Sequence, residues 1–364
     1  MLNKYKIMST VILSLYPEFY STKIAVSEDK KIIYQSDINH SEEDFVLFDN
    51  IMEQMPYRRD AVMERLRKDN VDVKSIQYVV AEGGLLRPCE SGVYAIDKVM
   101  VGDLLEGVAG EDIINIGGLL AYTIANTLRV KSYVVTPASL DERSDIVKFS
   151  PHPSIRKKSL FHAMINKYLS KEYAKSVNKN YEDINIIFCH VNDRNVSVAA
   201  HHKGRVIDVN QAYQGFGPMG FYESGTLPVS ALVDMLFKKR YSKDEILKLV
   251  NINSTFFSYV GTNSYDEIMK SLNNKNAKVK QILDVMAYQI AKEIASHYVS
   301  LDGKIDAIIL SGKIFSSNCF FKYLSKRIEN LAKIVCYPED YTFEAMIHNV
   351  LQVVDGKEMV KTYA

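Results

Sequence analysis

The chain has 364 residues, 47% hydrophobic and 24% charged, with a formal net charge of +1. That length exceeds one ordinary core and suits two domains. Near-neutral charge excludes bulk attraction to nucleic acid or an acidic membrane, and no apolar run approaches the ~20 residues of a membrane helix.

Lys4 and Lys6 precede the apolar stretch "IMSTVILSL", but no small-residue cleavage site follows and the segment alternates as a strand does. Strand-like runs then recur at "TVILSLY", "KIAVSE" and "KIIYQS". Between the first two lies "SLYPEFYSTK", residues 14–23. A strand, a tight turn and a strand form a phosphate-holding unit in many kinases. Such a turn needs small residues, because backbone N–H groups must reach phosphate oxygens. This one carries Glu18, Phe19 and Tyr20.

A helical pattern follows over "NIMEQMPYRRDAVMERLRKDN", broken near Pro56, then a strand at "IQYVVAE", a helix at "GEDIINIGGLLAYTIANTLRV" and a strand at "SYVVTP". "SIRKKSLFHAMINKYLSKEYAKSV" predicts a long amphipathic helix, with Leu160, Ala163, Met164 and Tyr168 on one face. The strand pattern then restarts. "INIIFCHV", "NVSVAAHHK" and "RVIDVNQ" predict an antiparallel meander with Lys203-Gly204 as a tight turn. Two long helices are predicted around 228–250 and 275–299, then buried strands at "KIDAIILSG" and "KIVCYP" and a final helix at "FEAMIHNVLQVV".

The two halves echo each other: a strand, a turn, two more strands, then helices and a parallel-type strand. This coarse repeat predicts two α/β domains with a cleft between them. Cys89, Cys189, Cys319 and Cys336 are scattered without C-x-x-C spacing, which argues against a zinc site or disulfide framework and for reduced thiols in the cytoplasm. His190, His201 and His202 invite a metal reading, but strand alternation puts His201 and His202 on opposite faces, so no metal site is expected.

Several stretches resemble the butyrate kinases, within the acetate kinase group of the actin and sugar-kinase superfamily. "EGGLLRP" at 82–88 is similar to the family's R-G-G-L-L-R-P, and "KSLFHAMINK" at 158–167 to its K-S-I-F-H-A-L-N-Q-K. "KGRVIDVNQA", "ESGTLPV", "YVGTNS", "DVMAYQIAKEI", "KIDAIILSG" and "FEA" continue the resemblance in order across essentially the whole chain. It implies an α/β fold of two ribonuclease-H-like domains, mixed sheets flanked by helices, around an interdomain cleft. The division expected is residues 1–180 with the C-terminal helix 343–364, and a nucleotide-side domain over 181–342. It also implies phosphoryl transfer from ATP, with Mg2+, to butyrate or another short-chain carboxylate, in a homo-oligomer built on a dimer unit.

The chemical motifs depart from the family's. The opening N-P-G-S-T-S-T-K reads Tyr16-Pro17-Glu18-Phe19-Tyr20-Ser21-Thr22-Lys23. A Gly to Glu18 change places a carboxylate where phosphate oxygens belong, and two full charges ~4 Å apart repel by roughly 4 kcal/mol near a surface. In G-R-G-G, the Arg that would hold the acyl phosphate is Glu82, followed by Gly83 and Gly84. The hairpin H-L-G-G-G-I-S-V reads His190 to Val198 with Asn192, Asp193 and Arg194 in place of three glycines. The second active-site Arg falls on Glu223, and the metal-side Asp of a D-P dipeptide on Thr136. A metal-side Glu falls at Tyr341 or Thr342, with Asp340 offset, and one of two glycines near the adenosine is Lys313, beside Gly312.

What remains by resemblance is His162, which in the family donates to the transferring phosphoryl group, and vestigial phosphate or substrate positions at Ser21, Lys23, Gly83, Gly84 and Arg87. Gly261, Thr262, Asn263 and Gly312 remain on the nucleotide side. Each has a plain alternative: a buried helix histidine for His162, a solvated strand residue for Lys23, a structural role for Arg87, a loop turn for 261–263. Asp193-Arg194 reads as a charged hairpin tip. The pairs Phe19-Tyr20, Phe221-Tyr222 and Phe256-Phe257 read as packed core. Phosphoryl transfer needs positive charge and backbone N–H groups on the transferring oxygens. Two arginines replaced by Glu therefore predict a catalytically impaired relative that acts by binding, for instance by joining the oligomer of an active one. The alternative is an active carboxylate kinase with a rearranged site.

Overall fold

The computed structural model describes residues 9–363 except 42–47, 49, 214 and 239. Lys4 and Lys6 lie outside the described residues. Contacts divide the chain into two compact units, one of Met1–Leu140 with Tyr341–Ala364 and one of Asp141–Asp340.

The first unit is built on a six-stranded mixed sheet ordered β3-β2-β1-β4-β6-β5. Its strands are β1 Val11–Pro17, β2 Ser21–Glu28, β3 Lys31–Asn39, β4 Tyr78–Glu82, β5 Val93–Ala95 and β6 Lys131–Val135. β1, β2 and β3 form an antiparallel meander, while β1, β4 and β6 run parallel. The central strands are buried and rich in Val, Ile and Leu, as a sheet covered on both faces requires, whereas edge strand β3 alternates exposed and half-buried residues. The helices Asn115–Leu128 and Thr342–Val354 both pack on β1, β4 and β6.

The second unit repeats the plan with a five-stranded sheet ordered β11-β10-β7-β8-β9. Its strands are β7 Asn185–Val191, β8 Val196–His202, β9 Arg205–Val209, β10 Ala307–Ser311 and β11 Ile334–Tyr337. The β7–β8–β9 meander is antiparallel, and β7, β10 and β11 are parallel. Lys203 and Gly204 both have positive φ, the backbone of a tight hairpin turn, as expected. The 24-residue helix Ala277–Ser300 packs on β7, β8 and β9. The coarse repeat read in the sequence is therefore a repeated sheet topology.

Local differences have local causes. Pro56 does not break its helix. It sits in the first turn of Gln54–Lys68, where its missing N–H has no intrahelical partner to lose. The helix expected from 154 begins only at Ala163, because the preceding segment bonds elsewhere: Lys158 N–H donates to Gln211 Oε1, and Leu160 O accepts from Tyr213 N–H. The helix expected over 228–250 is two, Val229–Phe237 and Lys243–Asn251. Arg240 takes a positive φ between them, and Ser242 with Glu245 starts the second with a capping box. Residues 141–180, assigned to the first domain in the sequence reading, group with the second unit, where Ala163–Ser176 packs on β7.

Candidate active site

In the first unit, the β1–β2 turn brings three of the singled-out residues together. Glu18 Oε1 lies 2.7 Å from Lys23 Nζ, and Glu18 Oε2 accepts from Ser21 Oγ at 2.8 Å. Ser21 and Lys23, two of the positions singled out by resemblance, are thus both engaged by the Glu18 carboxylate. Tyr16 stands opposite Lys23 in the β1–β2 register.

A residue the sequence reading missed underlies this turn. Arg58, 0% exposed, donates to Ser21 O at 2.7 Å, Phe19 O at 2.8 Å, Thr22 Oγ1 at 3.0 Å and the Gln54 side chain. A guanidinium offers five donors in a fixed fork and here serves two turn carbonyls at once, that of Ser21 also accepting the Glu18 N–H at 2.9 Å. Burial lowers its pKa to about 10, opposed by nearby groups including Glu18, so it stays charged at neutral pH. The only local trace is the Gln54-to-Arg58 spacing of four on a helix.

Glu82 is buried at the end of β4, opposite Val135. Gly83 and Gly84 are packing positions: a Cβ on Gly84 would lie 2.6–2.7 Å from Asn115 and Leu104. Arg87 makes a two-pronged ion pair with Asp103, at 2.7 and 2.9 Å, and its N–H donates to Tyr363 Oη, which itself donates to Asp103. This is a structural clasp joining the C-terminal tail to the first unit. Thr136 is buried at φ 37, and its N–H donates to Gly92 O.

In the second unit, the residues converge on His162, which precedes the helix Ala163–Ser176 and is 2% exposed. The side chain of Asn192 fixes its surroundings. Asn192 Oδ1 accepts the N–H groups of Arg194 and Asn195, each at 2.8 Å, which sets the orientation of the amide. Its Nδ2 then faces His162 Nε2 at 2.8 Å. An amide nitrogen only donates, so Nε2 accepts, and the ring proton lies on Nδ1, donated to Ser197 Oγ at 2.9 Å. Burial, with the nearby His190 and Arg194, drives the His162 pKa well below its ordinary value. His190 packs edge-on at 4.8 Å between ring centroids, bonds Ser311 Oγ, and is pushed down to about 4 by burial.

The hairpin tip is not a plain charged turn. Arg194 Nη2 lies 3.0 Å from Glu223 Oε1, and Asn195 Nδ2 donates to the same oxygen at 2.9 Å, with Glu223 1% exposed. The hairpin cation and the buried Glu223 carboxylate therefore form one bonded group with Asn195.

Gly312 ends β10 at φ 125, where a Cβ would lie 2.0 Å from Val191 O, so only glycine fits. Lys313 lies over the Tyr265 ring and pairs with Asp266. Gly261 is the left-handed cap of the helix Thr255–Val260, Thr262 bonds Glu267, and Asn263 Nδ2 donates to Ile252 O. Phe221 stacks on Phe256 at 5.1 Å inside the core, while Phe257 is exposed, which corrects half of that pair's expected packing. His201 bonds Tyr181 and His202 bonds Asn185. Among the described residues, no three His, Cys, Asp or Glu side chains are placed to hold a metal ion.

The acetokinase family model matches residues 147–331. Butyrate kinase 2 of Clostridium acetobutylicum is 38% identical over 356 residues, which are 98% of this chain and 100% of that protein. This chain belongs to the acetokinase family. The fold agrees. The acetate kinase of Porphyromonas gingivalis aligns with a TM-score of 0.74 at 14% identity, over 95% of this chain and 100% of that one. A propionate kinase from Francisella tularensis aligns at 0.73 and 15%, over 93% and 98%. Family membership supports the family reaction, phosphoryl transfer between ATP and a carboxylate with Mg2+. No helix among the described residues is long and apolar enough to cross a membrane.

Proposed function

We propose that this acetokinase-family chain has lost efficient carboxylate phosphorylation and acts by binding. The observation that carries this reading is the state of His162. Its Nε2 accepts from Asn192 and its Nδ1 proton is given to Ser197, so the ring is neutral and has no proton left to offer a transferring phosphoryl group. Two further observations support it. Ser21 and Lys23 are held by Glu18, and Glu223 is a buried anion where the family carries an arginine. The phosphate-side residues present do not fit a nucleotide's phosphates and Mg2+: the turn and the hairpin offer Glu18 and a bonded Arg194 where open backbone and free cations are needed.

As binding partner we propose another kinase chain, an active relative or a second copy. Val229, Val233 and Phe237, spaced by four on a helix with no buried residue, are 74%, 45% and 80% exposed and support such a contact. The four free cysteines support a reducing, cytoplasmic setting.

The alternative is an active butyrate or branched-chain carboxylate kinase, ATP + butyrate giving butyryl phosphate + ADP. The identity to a butyrate kinase and the retained Gly312 favour it. Trapping acyl phosphate as hydroxamate separates the two, with a thermal shift in Mg-ATP as the binding readout. Impaired catalysis gives no product above background. Turnover that His162→Ala abolishes establishes the alternative.

A further inference from the structure

The geometry points to a second ligand site, wholly inside the second unit, for a small amphipathic anion. A cavity of about 300 Å³ lies between the 219–227 segment, the start of the helix Thr255–Val260 and the first half of Ala277–Ser300. Met219, Ile282 and Val285 give it an apolar wall, and Ser254, Gln289 and Lys278 give it polar groups. Among the described residues that line it, none is Asp or Glu and Lys278 alone is charged.

The polar groups are donors in want of an acceptor. Ser254 is 9% exposed, yet its hydroxyl caps no backbone N–H and bonds to no described residue. Gln289 uses Oε1 to accept from Met219 N–H at 2.9 Å, while its amide hydrogens have no partner among the described residues. Lys278 Nζ rests 4.8 Å above the Tyr259 ring, held by a face that leaves its charge available to an anion. The Ser254 hydroxyl lines the cavity without a partner among the described residues, so an oxygen anion there can accept from it. The volume admits about ten non-hydrogen atoms, at about 30 Å³ each as in liquid water. The ligand is therefore a short alkyl body against Met219, Ile282 and Val285, with a carboxylate or phosphate head at Lys278 and Ser254.

The site adjoins the segment that carries Glu223. Thr255, next to Ser254, sits at φ 42, a strained conformation for a β-branched residue, and its Oγ1 donates to Glu223 O at 3.2 Å. Ser224 N–H donates to Val250 O at 2.8 Å. A ligand drawing on Ser254 would lie one residue from this connection to the Arg194–Glu223 pair. The inference does not rest on the loss of catalysis, since none of its ligating groups belongs to the residues that bear on that question.

Isothermal titration of the full chain tests it, with hexanoate and butyl phosphate as the two anionic probes and hexanamide as the neutral control. Saturable binding of either anion is expected, the stronger naming the head group, with no binding of hexanamide. Lys278→Gln and Val285→Trp, both at exposed positions, each weaken binding by about tenfold or more, the first by removing the charge and the second by filling the cavity. Absence of saturable binding for both anions, equal binding of hexanamide, or unchanged affinity in both variants overturns the site. The hydroxamate assay is untouched by any of these results, so the two proposals fail separately.

Discussion

Replacing Arg194 with Met tests whether the buried Arg194–Glu223 pair holds the second unit together. The side chains of Arg194 and Glu223 are 13% and 2% exposed, and the charged atoms lie 3.0 Å apart. At that separation an effective dielectric of about 20 gives roughly 5 kcal/mol of attraction, offset in the native protein by the cost of burying both ions. Removing the guanidinium alone leaves the Glu223 carboxylate buried, with Asn195 Nδ2 still donating to it. Breaking one side of a buried pair costs about 3–5 kcal/mol, and the retained amide places this case near 3. That is a large share of an ordinary stability of about 5–15 kcal/mol. The chain has no Trp, so urea unfolding is best followed by far-ultraviolet circular dichroism. The double variant Arg194→Met with Glu223→Met recovers most of the loss, because no uncompensated ion remains. A single-variant cost under about 1 kcal/mol, or a double variant as unstable as the single, refutes the reasoning.

Three further outcomes follow from the same geometry. Arg58→Met removes a donor from the carbonyl of Phe19 and one of the two donors from that of Ser21, which keeps the Glu18 N–H, and costs about 2 kcal/mol by urea unfolding, and Arg58→Lys, lacking the fork, does not restore it; full stability in the lysine variant argues against the fork. Glu18→Gly frees Ser21 and Lys23 from a half-exposed pair worth about 1 kcal/mol or less, so the midpoint in buffer barely moves while inorganic phosphate gains a stabilising thermal shift absent in the wild type; no phosphate response shows that Glu18 is not what blocks the turn. His162 and His190 have folded pKa values depressed by burial, so the unfolded chain binds more protons once pH falls below about 6.5, and stability present at neutral pH drains away toward the folded value of about 4 for His190. His190→Gln flattens the decline in melting temperature between about pH 7 and about pH 5, and an identical slope in that variant contradicts the assignment.

The sheets were legible because their central strands are short runs rich in Val, Ile and Leu bounded by turn residues, and edge strand β3 alternates. β5 escaped notice because three residues are too few for a period. The helix Lys98–Glu106 was announced by an Asp97 cap and Gly107, a signal the periodicity search passed over. The break after Phe237 came from one residue at positive φ, Arg240, which apolar spacing does not register. In the site, the motif positions could be read one by one, but their partners could not. Arg58 meets Ser21 across 37 residues and Arg194 meets Glu223 across 29, and neither pairing leaves a local pattern. That is why Arg194 read as a hairpin tip, and why Ser197 went unnoticed beside His162. Asn192 stood out only by resemblance, at a position where the family pattern has glycine; its orientation, set by two backbone N–H groups, emerged only from the fold.

We propose that Glu18, Glu82 and Glu223, at the positions where the resemblance places phosphate contacts and arginines, prevent efficient acyl phosphate formation. Hydroxamate trapping with Mg-ATP and butyrate at millimolar concentration measures this directly. The account predicts no product above the protein-free background, in a protein that is folded and stable. Butyryl hydroxamate formed at a rate typical of the family, and lost on His162→Ala, contradicts it.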